Sequence, residues 1–120
     1  MPYFIAFFLA LCSWIHVPDG DWEPTAEQAG EVRQLLRPYV EEQAVSWKEE
    51  LAPWEHYTVQ YQGQLREGKK VIFINAMCDE PPSRVAKELV FTFDGGACYF
   101  RAYWDPDSKE FTNFSFNGYA

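Results

Sequence analysis

Basic side chains are scarce in this chain of 120 residues: 10 lysines and arginines stand against 18 aspartates and glutamates, a formal net charge of −8. Binding to nucleic acid draws on Lys and Arg to neutralise phosphates, so this balance argues against DNA or RNA as a partner. Histidine is nearly missing, with only His16 and His56, and no Cys-x-x-Cys spacing occurs. There is also no GxxxxGK[ST], GxGxxG or HExxH, so nucleotide binding and zinc-protease chemistry lack a starting motif and no cofactor is expected. The longest apolar run, Tyr3 to Leu11, is nine residues. At 1.5 Å per residue a helix of that length falls far short of about 30 Å of hydrocarbon. Internal repeats and low-complexity tracts are absent too. What is present is apolar bulk: 48% hydrophobic and 18% aromatic residues, enough to fill the core of one small domain.

The terminal run YFIAFFLAL has no charged side chain before Asp19 and reads as the apolar region of an export signal. Ala10 and Cys12, small residues at alternate positions, suit cleavage before Ser13, although the usual basic start is missing. Residues 1–12 are thus expected to be a leader, 13–24 a linker, and 25–120 one domain. Leu9-Ala10-Leu11-Cys12 also resembles the lipobox at which bacterial lipoproteins are cut and acylated, which makes Cys12 a candidate lipidation residue; Leu11 is larger than the residue usually found there. A buried amino-terminal strand in a cytosolic protein is the third alternative. Membrane contact is expected only through this leader or lipid.

Removal or acylation of Cys12 leaves Cys78 and Cys98, an even number suited to one disulfide in an oxidising compartment. Secreted or periplasmic localisation follows as the expectation. Closing a loop of this length stabilises a fold by about 3 kcal/mol in the chain-entropy view, a large share of a small domain's stability.

After a connection marked by Pro18, Asp19 and Gly20, Thr25 and Gln28 form a capping box with Glu27 in the first turn. Ala29, Val32, Leu36, Val40, Ala44, Trp47 and Leu51 recur at helical spacing, predicting one long amphipathic helix, or two joined at a bend, with Pro38 expected to kink rather than break it near Leu36 and Arg37 and Pro53 to end it. From Tyr57 the period becomes two. Strands are predicted around Tyr57–Gln62, Val71–Met77, Leu89–Phe93, Ala97–Trp104 and Phe111–Asn117. Arg66-Glu67-Gly68-Lys69 and Asp105-Pro106-Asp107-Ser108 read as turns, and Asp79 to Ser83 as a loop. Asp94-Gly95-Gly96 reads as a positive-φ hairpin or bulge. The fold class is therefore α+β: one helix packed on a four- to five-stranded antiparallel meander.

The segment Phe93-Asp94-Gly95-Gly96-Ala97-Cys98-Tyr99-Phe100, with Tyr103, Asp105-Pro106 and the ending Phe114-Ser115-Phe116-Asn117-Gly118, resembles a group of small uncharacterised secreted or periplasmic bacterial proteins. Tyr57 to Gly63 and Phe73-Ile74-Asn75-Ala76-Met77-Cys78-Asp79 are similar to the same group, so the likeness covers about the last two thirds of the chain. It implies pairing of Cys78 with Cys98 and a cystatin-like arrangement of a helix wrapped by a sheet; no activity comes with it. Cystatin inhibitors present Gln-x-Val-x-Gly to a protease. Gln60-Tyr61-Gln62-Gly63 lacks the valine and is one residue short, so an ordinary strand is the simpler reading.

Catalytic groups could be sought in Asp79 and Glu80 beside Cys78, or in Asp94 with His56 as base. Carboxylates at loop edges usually face water, and Asp94 is expected to support its turn. Asp105-x-Asp107 with Glu110 has a calcium-loop flavour but lacks the glycine. Asn113-Phe114-Ser115 fits the glycosylation pattern inside a predicted strand. Trp22, Trp54 and Trp104, at element edges, are the candidate contact surface for a protein or envelope component. The leading expectation is a non-enzymatic exported binding module. A small hydrolase or lyase with a cleft between helix and sheet is the competing class, and a cystatin-type inhibitor the weaker one.

Overall fold

The computed structural model describes residues 12–79 and 86–119, and within them the chain is α+β. Helix α1 spans Ala26–Trp47, and the strands are β1 (Ser13–His16), β2 (Thr58–Arg66), β3 (Lys69–Met77), β4 (Tyr99–Asp105) and β5 (Glu110–Phe116). They form one sheet in the order β1-β2-β3-β4-β5, with β1 parallel to β2 and every other pair antiparallel.

Helix α1 starts where its sequence places it. The Thr25 hydroxyl accepts from the Gln28 amide at 3.1 Å, and the Gln28 side chain accepts from the Thr25 amide at 2.9 Å. Ala29, Val32, Leu36, Val40 and Ala44 are all buried, one per turn. Helix α1 runs through Pro38, which faces solvent together with Gln34, so the carbonyl that loses its partner there lies on a wet face. The predicted extension to Leu51 does not form. Lys48 takes left-handed φ and ψ of 56° and 43°, its N–H donates to the carbonyls of Ala44 and Val45, and Trp47 is left 46% exposed.

Strands β2 and β3 meet at Glu67-Gly68, both with positive φ (52° and 78°), as a tight two-residue hairpin requires. Period-two alternation sends Val59, Tyr61, Ile72, Ile74, Ala76, Phe100 and Trp104 toward α1, where they form the main core. Across the sheet, Gln60, Asn75, Arg101 and Ser115 stand in register on the opposite face.

Two expectations are corrected. The segment 13–24, read as an exposed linker, lies along the open edge of β2. The Ser13 N–H donates to the Tyr57 carbonyl at 3.1 Å, Val17 N–H to Tyr61 at 2.9 Å, and Trp22 bridges Gly63. An edge strand offers unpaired backbone groups, and this segment satisfies them.

The second correction concerns Leu89–Phe93, which is not a strand. It crosses the sheet face opposite α1 as an irregular strap, held by side-chain amides in place of a ladder. Gln60 Nε2 donates to the Glu88 carbonyl at 2.6 Å, and Asn75 Nδ2 to the Val90 carbonyl at 2.6 Å. Asn117 Nδ2 reaches the carbonyls of Thr92 (2.5 Å) and Asp94 (3.0 Å). In return the Val90 N–H donates to Gln60 Oε1 at 3.0 Å. Gly95 and Gly96 do carry positive φ (94° and 58°), but they lead into a short 3₁₀ turn, Gly96–Cys98, that delivers the chain to β4.

Candidate ligand groove

The strap turns the outer sheet face into a groove. Its backbone is tied down by buried amides while its rings stay in solvent, Phe91 53% and Phe93 91% exposed. They overhang a cavity of about 400 Å³ whose floor is built by Phe73 of β3 and by Arg101 and Tyr103 of β4. Phe73 packs in tilted contact with both aromatic neighbours, 5.0 Å from Tyr103 and 6.2 Å from Phe91 between ring centres. A second cavity of about 320 Å³ continues toward the β2–β3 hairpin, sharing Tyr103 and Asn113 with the first. There the Arg66 guanidinium lies 3.9 Å above the Tyr103 ring, a cation–π contact that fixes the ring's orientation. Asn113, at the bulge where β5 slips register against β4, has φ of 53° and is exposed. Volumes of this order suit a small ligand.

Charge is unevenly distributed along the groove. At the hairpin end, Arg66 and Lys69 are balanced by Glu67 and Asp105. Below the strap, Arg101 is the one charged residue among those described around the cavity. It donates to Asn117 Oδ1 at 3.1 Å and meets no carboxylate among the described residues.

The residues singled out from sequence are distributed differently. Cys78 and Cys98 are joined, with sulfurs 2.02 Å apart, and the Cys78 N–H also donates to the Cys98 carbonyl at 2.9 Å. The candidate contact surface is corrected for two of its three members. Trp104 is 1% exposed, because alternation along β4 turns it inward with Phe100 and Ala102, and Trp54 is 8% exposed, stacked over Phe100. Trp22 is half-buried, and its indole N–H is shared between the carbonyls of Gln64 and Val71, both at 3.0 Å. It fastens the edge segment and leaves no polar handle for a partner.

Cys12 is a buried thiol beside Trp14, Arg33 and Trp54, around a cavity of about 390 Å³. Burial raises its pKa, so it rests as a neutral thiol. Asp79 accepts a hydrogen bond from the Tyr99 hydroxyl, and Glu80 lies outside the described residues. His56, in the 3₁₀ turn Trp54–His56, and Asp94 are both exposed. Asp105 Oδ1 accepts from the amides of Asp107 (2.8 Å) and Ser108 (3.2 Å), which lower its pKa and make it a turn residue. Among the described residues no group of three or more His, Cys, Asp or Glu side chains is placed to hold a metal ion. Gln60-Tyr61-Gln62-Gly63 lies inside β2 between two neighbouring strands, with Gln60 buried, and not at a hairpin tip.

Phe91, Phe93, Arg101 and Tyr103 were not candidates from sequence. Strand alternation alone puts Arg101 and Tyr103 on the face opposite Phe100 and Trp104; what was missing was the strap above them. Compared with family models, with curated proteins and with solved structures, the chain matches none. Its class is therefore defined by the fold and the groove: a disulfide-stapled α+β domain with an aromatic cleft on the outer sheet face.

Proposed function

We propose that this chain is a small exported, non-enzymatic binding domain whose ligand or partner is an envelope component taken up in the groove under the strap. The observation that carries this reading is the pairing of exposed Phe91 and Phe93 with a cavity that reaches half-buried Arg101 and Tyr103. Solvent-facing rings above a cleft form an apolar patch with a polar rim, the usual mark of a recognition surface. The competing enzyme reading needs a cleft between helix and sheet. The middle of that space is occupied by Leu36, Val40, Phe100 and Trp104, and the cavity of about 390 Å³ that does open at its β1 edge is lined by Cys12, Trp14, Arg33 and Trp54, with no carboxylate or histidine among these residues.

Export is supported by the Cys78–Cys98 bond, and among the described residues no helix is long and apolar enough to cross a membrane. In this reading residues 1–12 are a leader cut before Ser13, which leaves β1 whole. Acylation of Cys12 would instead require its thiol to leave the buried seat beside Trp14 and Trp54.

The test compares the oxidised domain with a Phe91→Ser/Phe93→Ser variant after incubation in envelope extract, using native mass spectrometry to detect bound species. A component retained by the wild type and lost by the variant is the expected result. Turnover by the wild type in a hydrolase screen, with nothing retained, would reverse the assignment.

A further inference from the structure

Within that reading, on which this step rests, we infer that the groove takes a small carboxylic acid with an apolar, ring-sized body, its carboxylate paired with Arg101. The charge pattern selects this class. The chain as a whole is acidic, at −8, yet the cavity beneath the strap holds a single charged group among its described residues, and that group is a cation. Arg101 spends one N–H on the Asn117 side-chain oxygen. A guanidinium carries five N–H donors in a planar fork whose geometry matches an oxyanion. No carboxylate among the described residues pairs with it.

The walls define the rest of the molecule. Phe91 and Phe93 on the strap side and Tyr103 on the sheet side, with buried Phe73 packed against Phe91 and Tyr103, make the lining largely aromatic, which favours an apolar, ring-sized body. The acidic residues Glu67 and Asp105 sit only at the hairpin end of the groove, where Arg66 and Lys69 offset them. A ligand's negative charge is therefore directed to Arg101 and its body lies under the strap. Arg101 also supports the strap through Asn117, which itself holds the Thr92 and Asp94 carbonyls. Any test must separate loss of the charge from loss of the groove.

A matched pair of probes does so: 2-naphthoate and its neutral counterpart 2-naphthamide, titrated into the oxidised domain and followed by amide shifts of residues 91–93 and 101–103. The expected result is that naphthoate binds more tightly than naphthamide and is weakened by added salt. Arg101→Gln then lowers naphthoate affinity about tenfold, to the level of naphthamide, and Arg101→Lys keeps part of the preference. Retained naphthamide binding by Arg101→Gln shows that the groove survives the substitution. Equal binding of both probes, insensitive to Arg101→Gln, would overturn the carboxylate assignment while leaving a binding groove. Binding of neither overturns the assignment as well, and the extract comparison then decides the fate of the groove.

Discussion

Gln60 and Asn75 face each other directly across β2 and β3, and Asn75 Nδ2 donates to Gln60 Oε1 at 2.9 Å. Both are buried in the sheet, and between them they hydrogen-bond the backbone of the strap at Glu88 and Val90. Neutral amides can do this because each carries donors and an acceptor, so a chain lacking ladder geometry can still be satisfied.

Replacing Asn75 by Leu, close to it in size, removes the donor to both Gln60 and Val90. Unpaired buried acceptors cost about 1–3 kcal/mol. Urea unfolding should show that loss, and hydrogen exchange at residues 88–94 should accelerate while exchange in α1 stays unchanged.

Gly63 lies where another backbone comes too close for a side chain. A Cβ there would stand 2.1 Å from the Trp22 carbonyl oxygen, whereas a Cβ at Gly30, on the exposed face of α1, meets nothing within 4 Å. Gly63→Ala should therefore detach the Trp22 bridge and lower the melting temperature. Gly30→Ala should raise it, by about 0.5–1 kcal/mol of helix propensity. Thermal melts of the two single variants check both signs.

The Asp105 carboxyl titrates below the ordinary aspartate range because the Asp107 and Ser108 amides bond its ionised form. A depressed folded-state pKa contributes stability that is present above the unfolded value, about 3.9, and lost as pH falls through the lowered one. Asp105→Asn should accordingly show a smaller loss of stability than the wild type as pH is lowered from about 5 to below the native pKa. Carboxyl chemical shifts against pH, with melts at each pH, measure it.

Cys78 and Cys98 bracket the strap, closing a loop with a sequence separation of 20. Cys78→Ser/Cys98→Ser should cost about 3 kcal/mol in unfolding free energy, mainly through the freed unfolded chain. The loss should appear in denaturant midpoints of the oxidised wild type against the variant.

Local signals made α1 and the β2–β3 hairpin legible: Thr25 with Gln28 caps the one, and Glu67-Gly68 turns the other. The helix end was not, because the apolar spacing runs on to Leu51 while Lys48 reverses the chain by backbone conformation alone. Strand β1 was hidden since its partner Thr58–Tyr61 is distant in sequence and parallel to it. Leu89–Phe93 has strand-like composition, and what keeps it out of the sheet is a set of amides on Gln60, Asn75 and Asn117 that no local pattern links to it. The groove went unread for the same reason, being assembled by contacts across the whole domain.

The proposal of an exported, stapled domain is tested most directly by the thiol state of the protein purified from its native source without reductant, alkylated before and after reduction and mapped by mass spectrometry. Cys78 and Cys98 are expected to stay unmodified until reduction, in a chain that begins at Ser13. Immediate alkylation of both would contradict the staple and, with it, the placement of this domain outside a reducing compartment.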